Sequence, residues 1–394
     1  MWCVIAAGVT GAAGCYRPVE VACGITCAGG TCPGQLACNA ADQLCYAPAT
    51  GACSETGDDG LPKTDCFGSG PFRVCVAPPG GPQSWTAPVQ IDTDACPAAL
   101  GGQLVHVGAV AVCAVVGTDI AIGDRVDVHG SRPLVVASGG AIAITGKIDV
   151  ASHGGTRGPA ANTACNPPGG GPPDMRGVGG AGGSFRGRGG DGAVPPVDAS
   201  HPPNHALDPI AAPTQLVGGC AGGDGGDTTG VGAGSAGGSS GGALYLVARQ
   251  RVELHAGGWI NASGAGGEEV IADIAGGGGG GGGGGSGGMV RIDAPSIASD
   301  GTIAANGGGG AAGASNALDG LPGGDPDPAQ PALSAPGGST PGPGGAGNDS
   351  TVGFSGMAGA VPPDGAGGGG GGGGGGHVVL IGNRTGTGAI SPPP

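Results

Sequence analysis

Pro133-Leu-Val-Val-Ala, Gly140-Ala-Ile-Ala-Ile and Gly146-Lys-Ile-Asp-Val-Ala-Ser152 follow one another along the chain and decide the fold. In each of them Val, Ile or Leu alternates with small or polar residues, which is the pattern of a half-buried β-strand. The three runs are short and are separated by Gly or polar residues. They predict a unit of three short strands with bends between them.

The same plan recurs three more times, and each copy closes with Gly-x-Ile. The copies begin at Ala243, Met289 and His377. One unit cannot bury its own aliphatic residues, but units stacked on one another can. We therefore expect an all-β fold, a parallel β-helix-like solenoid over residues 83–394, with a positive φ at the Gly before each third strand. An antiparallel sandwich of hairpins is the alternative.

Gly-rich insertions separate the units, at about 154–242, 264–288 and 307–376. Each follows a Gly-x-Ile strand, so all three are expected to leave from the same corner. Two of them contain ten consecutive glycines, at 276–285 and 367–376. Polyglycine forms a solvated coil or extended three-fold helices packed side by side, and we expect partial order.

The N-terminus carries the pattern of an export signal. Residues 1–14 are small and apolar, too short to cross a bilayer as a helix, and end in Ala12-Ala13-Gly14-Cys15. This ending resembles the lipobox of bacterial lipoproteins, and the resemblance implies that Cys15 is lipidated. Secretion without a lipid and an unexported apolar N-terminus are the alternatives.

Residues 15–82 form a second compositional region, rich in cysteine. Without Cys3 and Cys15 the chain keeps an even number of cysteines, and their density predicts a disulfide framework in an oxidising compartment. Cys96 is expected to pair with Cys113, and Cys165 with Cys220. The spacing lacks the tight Cys pairs of zinc sites. The disulfide candidates are Cys23, Cys27, Cys32, Cys38, Cys45, Cys53, Cys66, Cys75, Cys96, Cys113, Cys165 and Cys220.

Composition narrows the possible functions. Of 394 residues 100 are Gly and 35 are Pro, and only 3% are aromatic. A large enzyme core is therefore not expected. The net charge of −15 argues against nucleic-acid binding through a basic surface. No motif calls for a cofactor.

A few acidic residues and histidines are candidates for chemistry. Asp127 and Asp149 are expected on neighbouring coils, close enough for the carboxyl pair of a glycosidase, and His129 lies nearby. They support an alternative function, a secreted carbohydrate-active β-helix enzyme. Asp224 and Asp227 partly match a calcium-binding Gly-Asp repeat, although a solvated acidic loop is the simpler interpretation.

The whole pattern resembles that of Gly-rich bacterial surface lipoproteins. It consists of a lipobox, a Cys-rich module that includes Cys27-Ala-Gly-Gly-Thr-Cys32-Pro-Gly-Gln-Leu-Ala-Cys38, and Ile/Val strands interrupted by polyglycine. The resemblance implies membrane attachment through a lipid anchor at the outer membrane or cell surface. It also implies a structural or adhesive role, with an extracellular polysaccharide or protein as ligand and no reaction.

Overall fold

The computed structural model describes most of the chain beyond residue 63. The described residues are 37–39, 44–46, 64–165, 177–196, 202–227, 234–272, 278–315, 318–339, 341–348, 354–362 and 366–394. The predicted signal, Cys15, Cys23, Cys27, Cys32 and Cys53 lie outside them.

The chain divides into two compact units between Lys63 and Thr64. In the first unit, strands β1 (Ala37–Asn39) and β2 (Leu44–Tyr46) pair antiparallel, with Cys38 opposite Cys45. The second unit contains strands and two 3-10 turns, Gly70–Phe72 and Ala98–Leu100, and its described residues include no α-helix.

The strands of the second unit are short. They are β3 (Asp65–Phe67), β4 (Val74–Val76), β5 (Gln83–Trp85), β6 (Val89–Asp92), β7 (Gly102–Val107), β8 (Val110–Gly117), β9 (Ile120–Ile122), β10 (Arg125–His129), β11 (Leu134–Ser138), β12 (Ala141–Ile144), β13 (Lys147–Asp149), β14 (Ala243–Ala248), β15 (Arg251–Leu254), β16 (Trp259–Asn261), β17 (Met289–Ser299), β18 (Thr302–Ala304), β19 (His377–Thr385) and β20 (Ile390–Ser391).

Apart from β3, β4 and β7, these strands form three ladders in which all pairs are parallel. The first ladder runs β8, β11, β14, β17 and β19, and the second runs β5, β9, β12, β15, β17 and β19. The two ladders share β17 and β19. The first halves of these two strands belong to the first ladder, and their second halves belong to the second. The third ladder runs β6, β10, β13, β16, β18 and β20. Each sequence repeat thus adds one strand, or half a strand, to every ladder.

The main core consists of the alternate side chains of these strands. In the third ladder Ile148, Ile260 and Ile303 are in register and fully buried. In the first ladder Leu134, Leu244 and Val290 stack in the same way. Burial of each such side chain contributes roughly 1.5–3 kcal/mol. The antiparallel alternative does not describe the strands of the four repeats, because they pair in parallel.

The expectation that the Gly before each third strand adopts a positive φ is wrong. Gly146, Gly301 and Gly388 do not adopt a positive φ. A Cβ on any of them would instead collide with backbone: with Asp124 for Gly146, with Gly258 for Gly301, and with Gly301 for Gly388. Glycine is required there because neighbouring bends stack directly on one another.

Hairpins cover the beginning of the first ladder. β7 pairs antiparallel with β8, β4 pairs antiparallel with β7, and β3 pairs antiparallel with β4. The segment at Leu104 lies within residues 83–394, for which a parallel solenoid was expected, but it belongs to this antiparallel cover. A second apolar cluster that includes Phe72, Val107 and Tyr245 lies between the cover and the outer face of the first ladder.

Candidate functional site

The Gly-rich segments follow the third ladder, as expected, and are hydrogen-bonded to one another. In residues 278–288 the backbone N–H groups donate in turn to three neighbouring segments. Gly280, Gly283 and Ser286 donate to residues 220–226; Gly281, Gly284 and Gly287 to 368–374; and Gly285 and Gly288 to 262–265. Donors to one neighbour recur every third residue. This period identifies an extended helix with three residues per turn and no internal hydrogen bonds.

The carbonyl groups of the same segment reach three further neighbours. Gly279, Gly282 and Gly285 accept from residues 308–314; Gly280, Gly283 and Ser286 from 235–241; and Gly281 and Gly284 from 180–183. Residues 278–288 are therefore surrounded by six other segments. We call this segment the first central rod.

Residues 366–376 repeat this arrangement and form the second central rod. Their N–H groups donate to segments 305–314, 177–183 and 354–360, and their carbonyls accept from 281–287, 186–193 and 345–348. The two central rods contact each other. Together with their neighbours in residues 177–193, 218–227, 234–242, 262–270, 305–315, 320–324, 335–339, 341–348 and 354–361 they form what we call the glycine bundle.

The packing explains why the central rods are polyglycine. Cβ atoms on Gly283, Gly284 and Gly285 would collide with the carbonyl oxygens of three different neighbours, Ala181, Gly308 and Ser239. Three successive residues face three directions, and all three are filled by backbone. No residue larger than Gly fits without displacing a neighbouring segment.

The outer segments of the bundle show a weaker signal that the sequence analysis missed. In residues 178–184, Val178, Ala181 and Ser184 are separated by pairs of glycines, and Arg188 and Asp191 repeat the spacing on the next segment. A residue with a side chain is tolerated where one direction in three is free of a neighbouring backbone. A three-residue period of this kind, short and local, marks the edge of the bundle.

The sequence-predicted carboxylates come together at the base of the bundle. Asp127 and Asp149 are partners in the register of β10 and β13. Arg125 lies between them, with its Nε 2.6 Å from Asp127 Oδ1 and its Nη2 3.2 Å from Asp149 Oδ2. Asp149 is buried and also accepts a hydrogen bond from Asn261 Nδ2 at 3.3 Å. Arg125 thus occupies the space in which a glycosidic oxygen would have to lie.

His153 connects this group to the glycine bundle. Its Nε2 is 3.3 Å from Asp149 Oδ2, and its Nδ1 is 3.3 Å from Asp325 Oδ2. Hydrogen bonds to these two carboxylates raise the pKa of His153 to about 10, so the ring is charged at neutral pH. Asp325 in turn accepts from the backbone N–H of Gly266 at 2.8 Å. We call Arg125, Asp127, Asp149, His153 and Asp325 the charged junction.

The remaining predicted site residues have structural contacts. The backbone carbonyl of His129 accepts from Thr93. Asp224 accepts from the Gly237 N–H at 2.9 Å and Asp227 from the Gly234 N–H at 2.7 Å. In these contacts the two carboxylates receive amide donors of the bundle. Within the described residues, no group of three or more His, Cys, Asp or Glu side chains is arranged to hold a metal ion.

Three disulfides are present in the second unit. They are Cys66–Cys75, Cys96–Cys113 and Cys165–Cys220. The last two are the pairs named from the sequence. Cys96–Cys113 lies within the core beside the covering hairpins. Cys165–Cys220 ties the beginning of the first insertion to the bundle segment 218–227 of the same insertion. The pairing supports the expectation of an oxidising environment.

An open surface depression of about 620 Å³ lies beside the start of β19. Its lining includes Arg186, Ile210, Val379 and His377. The His377 ring packs edge-on against Phe185 with ring centroids 4.7 Å apart. Burial lowers the pKa of His377 to about 4, so the ring is neutral. Its buried Nε2 has no hydrogen-bond partner among the described residues, and no sequence motif marked it.

Neither a membrane-spanning helix nor a similar known protein was found. In the part of the chain that the structure describes, no helix is long and apolar enough to cross a membrane. No family model, curated protein or solved structure matches this chain.

Proposed function

We propose that this chain is a non-enzymatic structural or adhesive protein of the cell surface. In this proposal the three ladders wind as a parallel β-solenoid, and the glycine bundle stands on one side of it as a rigid body. A lipid on Cys15 would hold the protein at the outer membrane.

One observation carries the proposal: the two central rods are hydrogen-bonded to six neighbours each. Segments tied in this way cannot act as flexible linkers, because most of their backbone N–H and C=O groups are already hydrogen-bonded to another segment. Ordering so many glycines costs much conformational entropy. A region ordered at this entropic cost is typical of a structural role, in which a fixed shape and stiffness are required.

The far end of the bundle offers a surface for adhesion. Ile271 and Leu318 flank the bridge between Val270 and Gly320 and are 75% and 59% exposed. Val361 is 64% exposed and follows Ala360, which donates to Pro343. Exposed apolar side chains carried by a stiff support favour adhesion to an apolar surface.

The anchor is tested by metabolic labelling with an alkyne-tagged palmitate in a bacterial host. Labelling of the protein is expected, with complete loss in Cys15→Ala. Cys3→Ala is the matched control and should keep the label, because Cys3 lies in the segment that is removed. An unlabelled protein that stays in the cytoplasm would contradict the anchor.

Adhesion is tested with cells that display the full chain on their surface. The measurement is the number of cells that octyl-agarose beads retain. The variant with Ile271→Ser, Leu318→Ser and Val361→Ser is expected to retain fewer cells than the unchanged protein. Leu104→Ser, at an exposed Leu of the covering hairpins, should leave retention unchanged. Equal retention of all variants would exclude the end of the bundle as the adhesive surface.

The carbohydrate-active alternative has less support. Arg125 fills the gap between Asp127 and Asp149, and few aromatic residues are available to stack on sugars. Release of reducing sugar from a polysaccharide panel, abolished by Asp127→Asn, would favour the enzyme over our proposal.

A further inference from the structure

The chain enters the second unit through a hairpin that a disulfide closes. The second unit begins at Thr64, and residues 65–76 contain the antiparallel strands β3 and β4. We call residues 65–76 the entry hairpin. A pull on the chain from residues before Thr64 acts first on this hairpin. The Cys66–Cys75 disulfide joins its two strands near the end at which the pull enters.

Two arginines of the ladders dock the entry hairpin. Arg249, between β14 and β15, has its Nη2 3.0 Å from Asp65 Oδ1 and its Cζ 4.9 Å from the centroid of the Phe67 ring. Arg291, on β17, is 7% exposed and lies over the Phe72 ring at 4.0 Å. An aromatic face attracts a guanidinium, most strongly where water is excluded. These contacts hold the hairpin against the outer face of the first ladder.

The disulfide determines how a pull is shared among these contacts. Cys66 and Cys75 are directly opposite each other, at the second rung from the open end of the hairpin. Without the bond, tension on β3 would separate the hairpin rung by rung, because each backbone pair is loaded only after the previous one has broken. With the bond, residues 67–74 lie inside a closed covalent loop and bear no tension along the chain. The hairpin then moves only as one body, and its docking contacts must break together.

A second disulfide closes the other covering hairpin in the same way. The Cys96–Cys113 bond encloses β7 and the beginning of β8. Cys113 is buried in the main core, in register with Leu134 of the next repeat. Tension that passes the entry hairpin is therefore led directly into a core strand, and the residues of β7 are bypassed.

We propose that the entry hairpin is a mechanical clasp, in which the Cys66–Cys75 bond makes the contacts of Arg249 and Arg291 resist together a pull from the preceding chain. The clasp keeps the ladders covered while the protein is under tension between its anchor and the far end of the bundle. The inference rests on the proposed function for the source of this tension. The clasp itself belongs to the second unit and is measured without a membrane or an adhesive surface.

The clasp is tested with the oxidised full chain held at constant force in magnetic tweezers. One handle is attached at the N-terminus, and the other at p-azidophenylalanine in place of Leu318, an exposed residue at the far end of the bundle. The lifetime of the second unit under force reports its unfolding rate. In the unchanged protein the entry hairpin is expected to stay closed until the second unit unfolds.

Three variants are compared with the unchanged protein. Cys66→Ser together with Cys75→Ser should shorten the lifetime at least about tenfold and add an early step of at most about 30 Å, the extended length of the span that the bond closes. Arg249→Met keeps the bond but loses the ion pair and the ring contact, and should shorten the lifetime about fivefold. Arg251→Met is the matched control. Its side chain is as exposed as that of Arg249 but pairs with Glu253, so no change is expected.

The direction of the pull separates the clasp from a general effect on stability. With handles at residue 318 and at the C-terminus the entry hairpin is not loaded, and every variant should have the lifetime of the unchanged protein.

Three results would overturn the proposal. The first is an unchanged lifetime of the double Cys variant when the pull enters at the N-terminus. The second is a loss of lifetime that is the same in both directions of pull, and the third is an equal effect of Arg249→Met and Arg251→Met. None of these results bears on lipidation or on retention by octyl-agarose, so the clasp and the proposed function fail independently.

Discussion

The ladders are filled by side chains such as Ile148, Ile260 and Ile303, whereas the central rods of the glycine bundle consist of glycine apart from Ser286 and Ala366. In the ladders, removal of apolar surface from water drives packing. In the bundle, backbone hydrogen bonds and close contact between main chains replace it. The comparison teaches that the two regions are sensitive to opposite substitutions. The ladders are destabilised when a buried side chain is shortened, and the bundle is destabilised when a side chain is added.

The largest effect is expected from loss of volume in the ladders. Ile260 is fully buried between Ile148 and Ile303, so Ile260→Ala should lower the free energy of unfolding by about 3 kcal/mol. Denaturant titration measures the difference. Ile271→Ala, at a residue that is 75% exposed, should change it by less than about 0.5 kcal/mol. Equal effects would mean that the ladders lack the dry core described above.

A smaller but still large effect is expected from added volume in the bundle. Gly283→Ala places a methyl group against the Ala181 carbonyl and should cost about 2 kcal/mol, with faster amide exchange in both central rods. At Gly80 a Cβ would meet no atom within 4 Å, and Gly80→Ala is the control. If the two substitutions have the same effect, the rods are not closely packed in solution.

The smallest effect is expected where the two regions meet, at the charged junction. The pKa of His153 is raised in the folded protein to about 10 from an ordinary value of 6.5. Its contribution is therefore fully present below pH 6.5 and is lost as the pH rises through about 10. Because the ring is partly exposed, we expect only about 0.5 kcal/mol.

Comparison of His153→Gln with the unchanged protein measures this contribution. The variant should be less stable at pH 6, and the difference in unfolding free energy should disappear near pH 10. His106→Gln serves as the control, because His106 forms no ion pair among the described residues, and no difference is expected. A difference for His153→Gln that grows with pH would contradict the assigned ion pairs.

Local patterns predicted much of the strand framework. The Gly-x-Ile strands, the points at which the insertions leave, and the pairs Cys96–Cys113 and Cys165–Cys220 were all readable from spacing. They were readable because alternation of side chains, strand length and Cys order are properties of short segments. The closeness of Asp127 and Asp149 followed from the repeat, but the insertion of Arg125 between them did not.

The sequence by itself determined that the fold is all-β, where the strands of the four repeats lie and where glycine replaces every side chain. Tertiary structure alone decided that the two central rods sit at the centre of a bundle and that His153 reaches Asp325. It also decided that hairpins cover one end of the first ladder, whereas at the other end no described strand pairs with β19 beyond β17. The reason is physical: a polyglycine run has no side chain to specify its neighbours, so its environment is defined only when distant segments surround it.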